Sequence, residues 1–117
     1  MKMKKITKPW GYELLIEKNS KYMLKKLFMK KGHRCSLQFH KKKIETIFII
    51  SGNLKIFYGK NKNKLNYRTF KPQNTITINP KIIHRMEAVN NCFYLEASTP
   101  EIKDVVRLSD DYQRKVV

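Results

Sequence analysis

Residues 36–52 read SLQFHKKKIETIFIISG, and this stretch carries the clearest signal in the chain. The β-branched and aromatic residues of its second half predict a strand over Glu45–Ile50. Its first half holds two further polar side chains that could bind a metal, Gln38 and His40. Because side chains alternate across a strand, these two point to one face. If the strand of Glu45 is the antiparallel neighbour, its carboxylate comes within reach of His40.

The remainder of the chain also consists of short strand patterns separated by turn residues. They recur at intervals of roughly 8–12 residues, which favours an all-β sandwich or barrel. The turn residues Ser51-Gly52-Asn53 predict a hairpin between the strands on either side, and the tail after Pro100 is expected to hold a helical turn. The predicted strands are 12–17, 22–29, 35–40, 45–50, 54–58, 65–70, 75–78, 84–89 and 92–97.

Length and composition limit the class of protein. The 117 residues, 41% of them hydrophobic, are enough for one domain with one core. No run approaches the roughly 20 apolar residues of a membrane span, and no apolar segment follows the basic N-terminus as in a signal peptide. Cys35 and Cys92 have no CxxC spacing and are expected to be buried, reduced thiols. We therefore expect a cytoplasmic protein with no membrane partner.

The chain is strongly basic, with 26 Lys and Arg against 9 Asp and Glu and a net charge of +17. Such a field attracts nucleic acids or an anionic substrate. However, 21 of the basic residues are lysines spread along the chain, which is typical of a lysine-rich proteome, and RNA-binding and helix-turn-helix patterns are absent. Nucleic-acid binding is therefore not expected, whereas a small anionic sugar would benefit from the same field.

A second histidine completes a possible metal site. His84 opens a predicted strand just after Asn79-Pro80, which ends the preceding strand. Together with Gln38, His40 and Glu45 it gives two imidazoles, a carboxylate and an amide oxygen, a ligand set that suits Zn, Fe, Mn or Ni. A single histidine is more often a core or surface residue than a ligand, and the Q-x-H-x4-E spacing alone is a weak signal. The later His84, within an all-β pattern, strengthens the metal interpretation.

Other polar side chains are candidates for substrate binding and catalysis. If the strand over 35–40 extends without a break, Arg34 shares the face of the candidate ligands and could hold an anionic group; a surface position at the rim is the alternative. Lys43 and Lys26 are weaker candidates for the same role, since most lysines here must be solvated. Glu96 could point inward as a catalytic base, with a surface or ion-paired position as the alternative. Arg34 and Glu96 are thus the predicted catalytic residues.

These motifs resemble those of the cupin superfamily. Its first motif, G-x5-H-x-H-x3,4-E-x6-G, runs here from Gly32 to Gly52, with Gln38 where the motif has its first histidine. Its second motif, P-x-G-x2-H, is matched by Pro80 and His84, while Lys81 stands at the glycine.

More narrowly, the chain resembles the C-terminal cupin domain of type II mannose-6-phosphate isomerases. Their signature Q-x-H-H-x-R-x-E-H-W is similar to residues 38–47, although Lys41, Lys43 and Thr46-Ile47 replace the second His, the Arg and the His-Trp. The family's Pro-Trp-Gly is matched at residues 9–11, and its D-I-V-R-L-x-D-x-Y-G-R at residues 104–114, where Gln113 replaces the glycine.

The resemblance implies a single small cupin domain, a double-stranded β-helix or jelly-roll barrel, over residues 1–117. We place its barrel core at about 11–98 and a C-terminal clasp at about 99–117, in which charged residues hold the tail to the barrel. It implies that the metal ligands are Gln38, His40, Glu45 and His84. The residues of the clasp expected to be structural are Arg107, Asp110, Asp111 and Arg114.

The resemblance also implies a function, a metal-dependent aldose–ketose isomerase acting on a sugar phosphate or related sugar. Two alternatives stay open, a non-catalytic cupin that binds a small sugar or acid, and an Fe(II)-dependent dioxygenase-type cupin. We also expect a homodimer, in which the short β-prone segment before Pro9 would exchange between copies because it would otherwise dangle.

Overall fold

The structure is a computed structural model that describes residues 3–116 and contains strands but no helix in that range. The all-β prediction is therefore confirmed. Predicted and observed strands agree in most places, because apolar and polar side chains alternate along them and bury one face. The strands are β1 (Lys4–Lys8), β2 (Gly11–Lys18), β3 (Met23–Met29), β4 (Leu37–Phe39), β5 (Glu45–Ser51), β6 (Leu54–Gly59), β7 (Asn66–Phe70), β8 (Thr75–Ile78), β9 (Ile83–Ala88), β10 (Cys92–Ser98) and β11 (Val106–Ser109).

The strands form two antiparallel sheets that enclose one core. One sheet has six strands in the order β1-β2-β3-β10-β5-β8, and the other has five in the order β11-β4-β9-β6-β7. The core draws residues from both, including Leu27 and Ile49 from the first sheet and Ile56 and Met86 from the second. Sequence neighbours are often far apart in the sheets, so the barrel is closed by pairings between distant segments.

The predicted hairpin between residues 45–50 and 54–58 is wrong. β5 lies between β10 and β8 in the six-stranded sheet, whereas β6 lies between β9 and β7 in the other. A tight turn fixes the reversal of the chain but not the hydrogen-bond partner, and both edges of β5 are already occupied. The turn still needs Gly52, which has φ +81°, and a Cβ there would lie 2.2 Å from the carbonyl oxygen of Asn91.

The two terminal segments also join the sheets. β1 pairs with β2 of the same chain across the turn at Pro9 and Trp10, so residues 4–8 of the segment expected to exchange between copies are held by their own chain. Residues 1 and 2 of that segment lie outside the described residues. The tail after Pro100 forms β11 on the free edge of β4 and not the expected helical turn, because that edge offers backbone donors and acceptors that need partners. Both β1 and β11 lie outside the predicted core of 11–98, and the domain boundaries stay predictions.

Candidate metal centre

Three candidate ligands meet between the two sheets. His84 lies on β9, and His40 follows β4, the neighbour of β9. Glu45 opens β5 in the opposite sheet, so it reaches the histidines across the barrel and not from an adjacent strand, as the sequence had led us to expect. Its Oε1 lies 3.0 Å from His84 Nε2 and 3.4 Å from His40 Nε2. All three side chains are buried.

The two imidazoles are oriented by backbone carbonyl groups. His40 Nδ1 donates to the carbonyl oxygen of Asp104, and His84 Nδ1 donates to that of Ile82 at 2.9 Å. In a neutral ring the proton is then on Nδ1 and the lone pair is on Nε2, which is the arrangement in which histidine binds metals. Both Nε2 atoms are buried without a hydrogen-bond partner among the described residues.

The chemistry of the donor set fits a divalent cation. The ligand atoms of His40, Glu45 and His84 all lie within 4.8 Å of one another. Two imidazole lone pairs and a carboxylate oxygen repel each other unless positive charge lies between them, either protons on the rings or a metal ion. Burial raises the pKa of the Glu45 carboxyl, but contacts with His40 and His84 and the charge of Lys43 outweigh it, so that this pKa lies well below its usual range.

The turn before Glu45 is held by one carboxylate. Asp104 accepts backbone N–H hydrogen bonds from Lys41, Lys42 and Lys43 at 3.0, 2.7 and 2.9 Å. Burial opposes ionisation of Asp104, but the three N–H donors outweigh it and lower the pKa of this carboxyl. Since the carbonyl oxygen of the same residue accepts from His40, Asp104 fixes both a candidate metal ligand and the turn that follows it.

Lys43 lies inside the barrel between two carboxylates. Its Nζ is 3.4 Å from Glu45 Oε2 and 3.1 Å from Glu96 Oε2. Burial lowers the pKa of Lys43, yet the charges of Glu96 and Glu45 raise it by more. Burial and the charge of Glu45 raise the pKa of Glu96, against the opposing charges of Lys43 and Lys25. The structure therefore brings Lys43 and Glu96, both predicted from the sequence, beside the candidate ligands.

Gln38, the fourth predicted ligand, faces the same space. It pairs in register with His84, so its side chain points to the same face of the sheet. Its Oε1 accepts a hydrogen bond from Ser36 Oγ at 2.6 Å. Its role as a metal ligand stays a prediction.

Gln38, His40, Lys43, Glu45 and Glu96 line a cavity of about 250 Å³, near the lower end of the size range of small-molecule sites. Its walls hold five basic side chains and three carboxylates, a balance that suits an anionic ligand. Cys35 also lines the cavity, but burial raises its pKa to about 11, so it is a thiol and not a nucleophile at neutral pH. The charged lining residues are Lys8, Glu13, Lys25, Lys43, Glu45, Glu96, Arg107 and Arg114.

A buried ion pair on the cavity wall was missed in the sequence. Lys25 Nζ lies 3.4 Å from Glu13 Oε1, with both side chains about one-tenth exposed. The signal was available, because the alternation from Met23 to Met29 places Lys25 on the inward face. Lys26, the predicted residue, points outward, and its Nζ lies 5.2 Å from the centre of the Phe93 ring.

Arg34 is not among the described residues that line the cavity. Its guanidinium donates to Asp111 at 2.6 and 3.0 Å and lies 3.9 Å from Glu87. The strand is broken before Leu37, so the alternation that would have placed Arg34 beside the ligands does not hold. Its predicted contact with a substrate stays a prediction. By contrast Arg107, assigned to the structural clasp, lines the cavity.

Comparisons with known proteins agree with this architecture. The sequence profile described as mannose-6-phosphate isomerase C-terminal matches residues 1–110. The capsular polysaccharide assembling protein CapF from Staphylococcus aureus superposes with a TM-score of 0.79 at 14% identity, over 92% of this chain and 34% of CapF. Oxalate decarboxylase from Bacillus subtilis gives 0.80 at 13% identity, over 91% of this chain and 30% of the other.

A further solved structure has nearly the same length as this chain. KdgF from Halomonas sp. superposes with a TM-score of 0.74 at 10% identity, over 88% of this chain and 89% of KdgF. The chain spans only about a third of CapF and of the oxalate decarboxylase. The fold is the cupin barrel that the motifs indicated.

No curated protein sequence matches the chain. Within residues 3–116 no helix could cross a membrane.

Proposed function

Because the chain belongs to the mannose-6-phosphate isomerase C-terminal family, we propose that it is a metal-dependent isomerase of sugar phosphates, interconverting mannose 6-phosphate and fructose 6-phosphate or a close relative of that pair. The observation that carries the proposal is the convergence of His40, Glu45 and His84 within 4.8 Å, beside the buried carboxylate of Glu96. His40, Glu45 and Glu96 line a cavity of about 250 Å³, near the lower end of the size range of small-molecule sites. The proposal thus extends the activity for which the family is described to the single cupin domain of this chain.

His40, Glu45 and His84 would hold a divalent cation, with Gln38 as a fourth ligand, and Zn, Mn, Fe or Ni are the candidates. Such an ion would supply Lewis acidity for the isomerisation of an open-chain sugar. Lys43 contacts Glu45 and therefore holds that ligand in place.

Glu96 would move the proton in this reaction. As a base it takes a proton from the carbon next to the carbonyl group and returns it to the carbonyl carbon, while the hydroxyl proton passes to the former carbonyl oxygen. Lys43, 3.1 Å from Glu96, would face the negative charge that develops on the sugar. Lys25, on the same wall, adds a second positive charge.

The first experiment measures metal content and turnover on untagged protein purified without chelator. Wild type is expected to carry near-stoichiometric metal and to interconvert the two hexose phosphates. His40→Ala and His84→Ala should lose the metal. His33→Ala is the matched control and should keep the metal, because the His33 ring stacks against Tyr112 and is not one of the candidate ligands. Glu96→Gln should keep the metal and lose about 100-fold or more in turnover. Absence of metal after incubation with Zn, Mn, Fe and Ni would overturn the proposal.

A non-catalytic binding module is the second candidate, and one observation favours it. Lys43 pairs with both Glu45 and Glu96, so a lysine already neutralises the candidate ligand and the candidate base. Calorimetry that detects hexose phosphate binding, with no change in product composition over long incubation, would select this function.

Two other features stay predictions, a homodimer and a cytoplasmic location. Light scattering on the purified protein tests the first. The structural clasp at about 99–117 also stays a prediction, and limited truncation would test it.

A further inference from the structure

The C-terminal strand carries an arginine whose side chain has no partner. Within residues 3–116 the guanidinium of Arg107 makes no hydrogen bond or ion pair, and its Nε is buried. Its charge acts on Asp110, but both oxygens of that carboxylate are bound to Arg114. Buried donors in folded proteins are nearly always paired. An unpaired one on a cavity wall therefore points to a ligand.

The other four arginines within residues 3–116 either have a partner or lie away from the cavity wall. Arg34 is bound to Asp111 and Arg114 to Asp110. Arg85 donates through Nε to the carbonyl oxygen of Cys35; its Nη2 is also buried without a hydrogen bond, but it lies 3.7 Å from Asp111 and Arg85 does not line the cavity. The fifth, Arg68, lies against the Phe70 ring on the edge strand β7. The two buried cavity lysines already face carboxylates. Among these cations Arg107 is thus the one with its hydrogen-bonding fork available to a molecule in the cavity.

The strand register gives the position of Arg107 relative to the candidate metal ligands. Arg107 pairs with Gln38, and Gln38 pairs with His84. Directly paired residues point to the same face of a sheet, so all three side chains lie on the interior face, where Arg107 and Gln38 line the cavity and His84 is buried behind it. Two strand spacings separate the backbones of Arg107 and His84 by roughly 10 Å. A six-carbon sugar with an anionic group at one end can bridge that separation.

We infer that Arg107 binds the anionic group of the sugar, a phosphate or a carboxylate, and so places the other end of the molecule at His40, Glu45 and His84. This inference rests on the proposed function for the identity of the sugar. The planar guanidinium offers parallel N–H donors that match a phosphate or carboxylate, which a lysine does not. Arg107 is in this respect a specificity-determining residue contributed by the last strand of the chain.

The test measures binding by calorimetry to full-length protein, with and without Zn, using inorganic phosphate, mannose 6-phosphate and mannose. Arg107→Gln should weaken binding of both anions by about tenfold to a hundredfold. Binding of neutral mannose and the Zn content should be unchanged. Arg107→Lys keeps the charge but loses the fork, so it should fall between wild type and Arg107→Gln. Arg68→Gln, which removes the same charge outside the cavity, is the matched control.

Several outcomes would overturn the inference. These are unchanged anion affinity in Arg107→Gln, an equal loss in Arg68→Gln, or a loss in Arg34→Gln that Arg107→Gln does not show. Failure of wild type to bind either anion would also overturn it. If Arg107→Gln does not fold, as judged by circular dichroism, Arg107→Lys decides the question.

The inference and the proposed function can fail separately. Arg107-dependent anion binding without turnover sinks the isomerase proposal and leaves the anion site intact. Turnover of mannose 6-phosphate with an unchanged KM in Arg107→Gln sinks the anion site and leaves the isomerase.

Discussion

The two ends of the barrel interior are built by the same strands yet differ completely in chemistry. β5 presents Glu45 at one end and Ile49 at the other, and β9 presents His84 and then Ala88. At the apolar end side chains from both sheets are fully buried against one another. At the polar end carboxylates, lysines and the imidazole of His40 line a cavity.

This contrast separates the sources of stability and of chemistry within one sheet pair. Burial of apolar surface is the main favourable term in folding, whereas buried charges cost free energy unless they are paired. The apolar end therefore supplies the stability with which the polar end is held together. Substitutions at the two ends should accordingly differ in kind, and the following predictions test that difference in order of expected size.

The largest effect is expected from breaking a buried ion pair at the polar end. Lys25→Met alone leaves the Glu13 carboxylate buried with only the more distant Lys8, 3.9 Å away, and should lower the free energy of unfolding by about 3–5 kcal/mol. Adding Glu13→Leu removes the isolated charge and should restore the stability to wild type or above. Urea denaturation of both variants measures this. A double variant no more stable than the single one would contradict the comparison.

At the apolar end Ile56→Ala should cost about 2–5 kcal/mol, since the side chain is fully buried and leaves a cavity. Its metal content, measured on the folded protein by mass spectrometry, should equal that of wild type. No second substitution of a single neighbour is expected to restore this loss, in contrast to the ion pair. Loss of metal in Ile56→Ala at temperatures where it stays folded would show that the two ends are not separable.

Asp104→Ala tests how the C-terminal segment supports the metal centre. The substitution removes three hydrogen bonds to the turn over 41–43 but keeps the carbonyl group that orients His40. Loss of such a supporting contact should weaken metal affinity by about 10- to 100-fold. Competition with a chromophoric chelator measures the affinity. Lys103→Ala, an exposed neighbour, is the control and should leave it unchanged.

The smallest effect is expected at the clasp, where Arg114 binds Asp110. Hydrogen bonding to Arg114 outweighs burial and lowers the pKa of Asp110 below its ordinary value of 3.8. A carboxyl with a lowered pKa stabilises the folded state above that ordinary value and loses this contribution as the pH falls through the folded pKa. Asp110→Asn should therefore be less stable than wild type by about 1 kcal/mol at pH 7. The difference should shrink below pH 3.8 in thermal melts; a constant difference across that range would exclude ionisation as its source.

Local patterns in the sequence were sufficient for much of the site. The spacing of His40 and Glu45, and the position of His84 after Pro80, indicated a metal centre, and the structure brings these three side chains together. The alternation along β3 also indicates that Lys25, and not the predicted Lys26, points inward. These features depend on residues within one strand, where a period of two determines the face.

Other features depend on pairings between segments far apart in the chain. The sequence did not show that β4 is only three residues long, which removed Arg34 from the ligand face. Nor did it show that β11 would pair with β4 and so direct Arg107 into the cavity. The hairpin failed for the same reason, because turn residues do not specify which strand occupies an edge. Periodicity determines which face of a strand is buried, while partners at long range determine what that face meets.

The hydrogen bonds of Asp104 also matter for a chain that is still being synthesised. A ribosome releases the chain from its N-terminus, so His40, Glu45 and His84 emerge before the residue that orients His40 and holds the lysine turn. A nascent chain that ends before Asp104 has all three candidate ligands but lacks the carbonyl group that orients the His40 imidazole. A metal bound at this centre is therefore expected to be held more weakly until Asp104 has emerged and folded onto the turn.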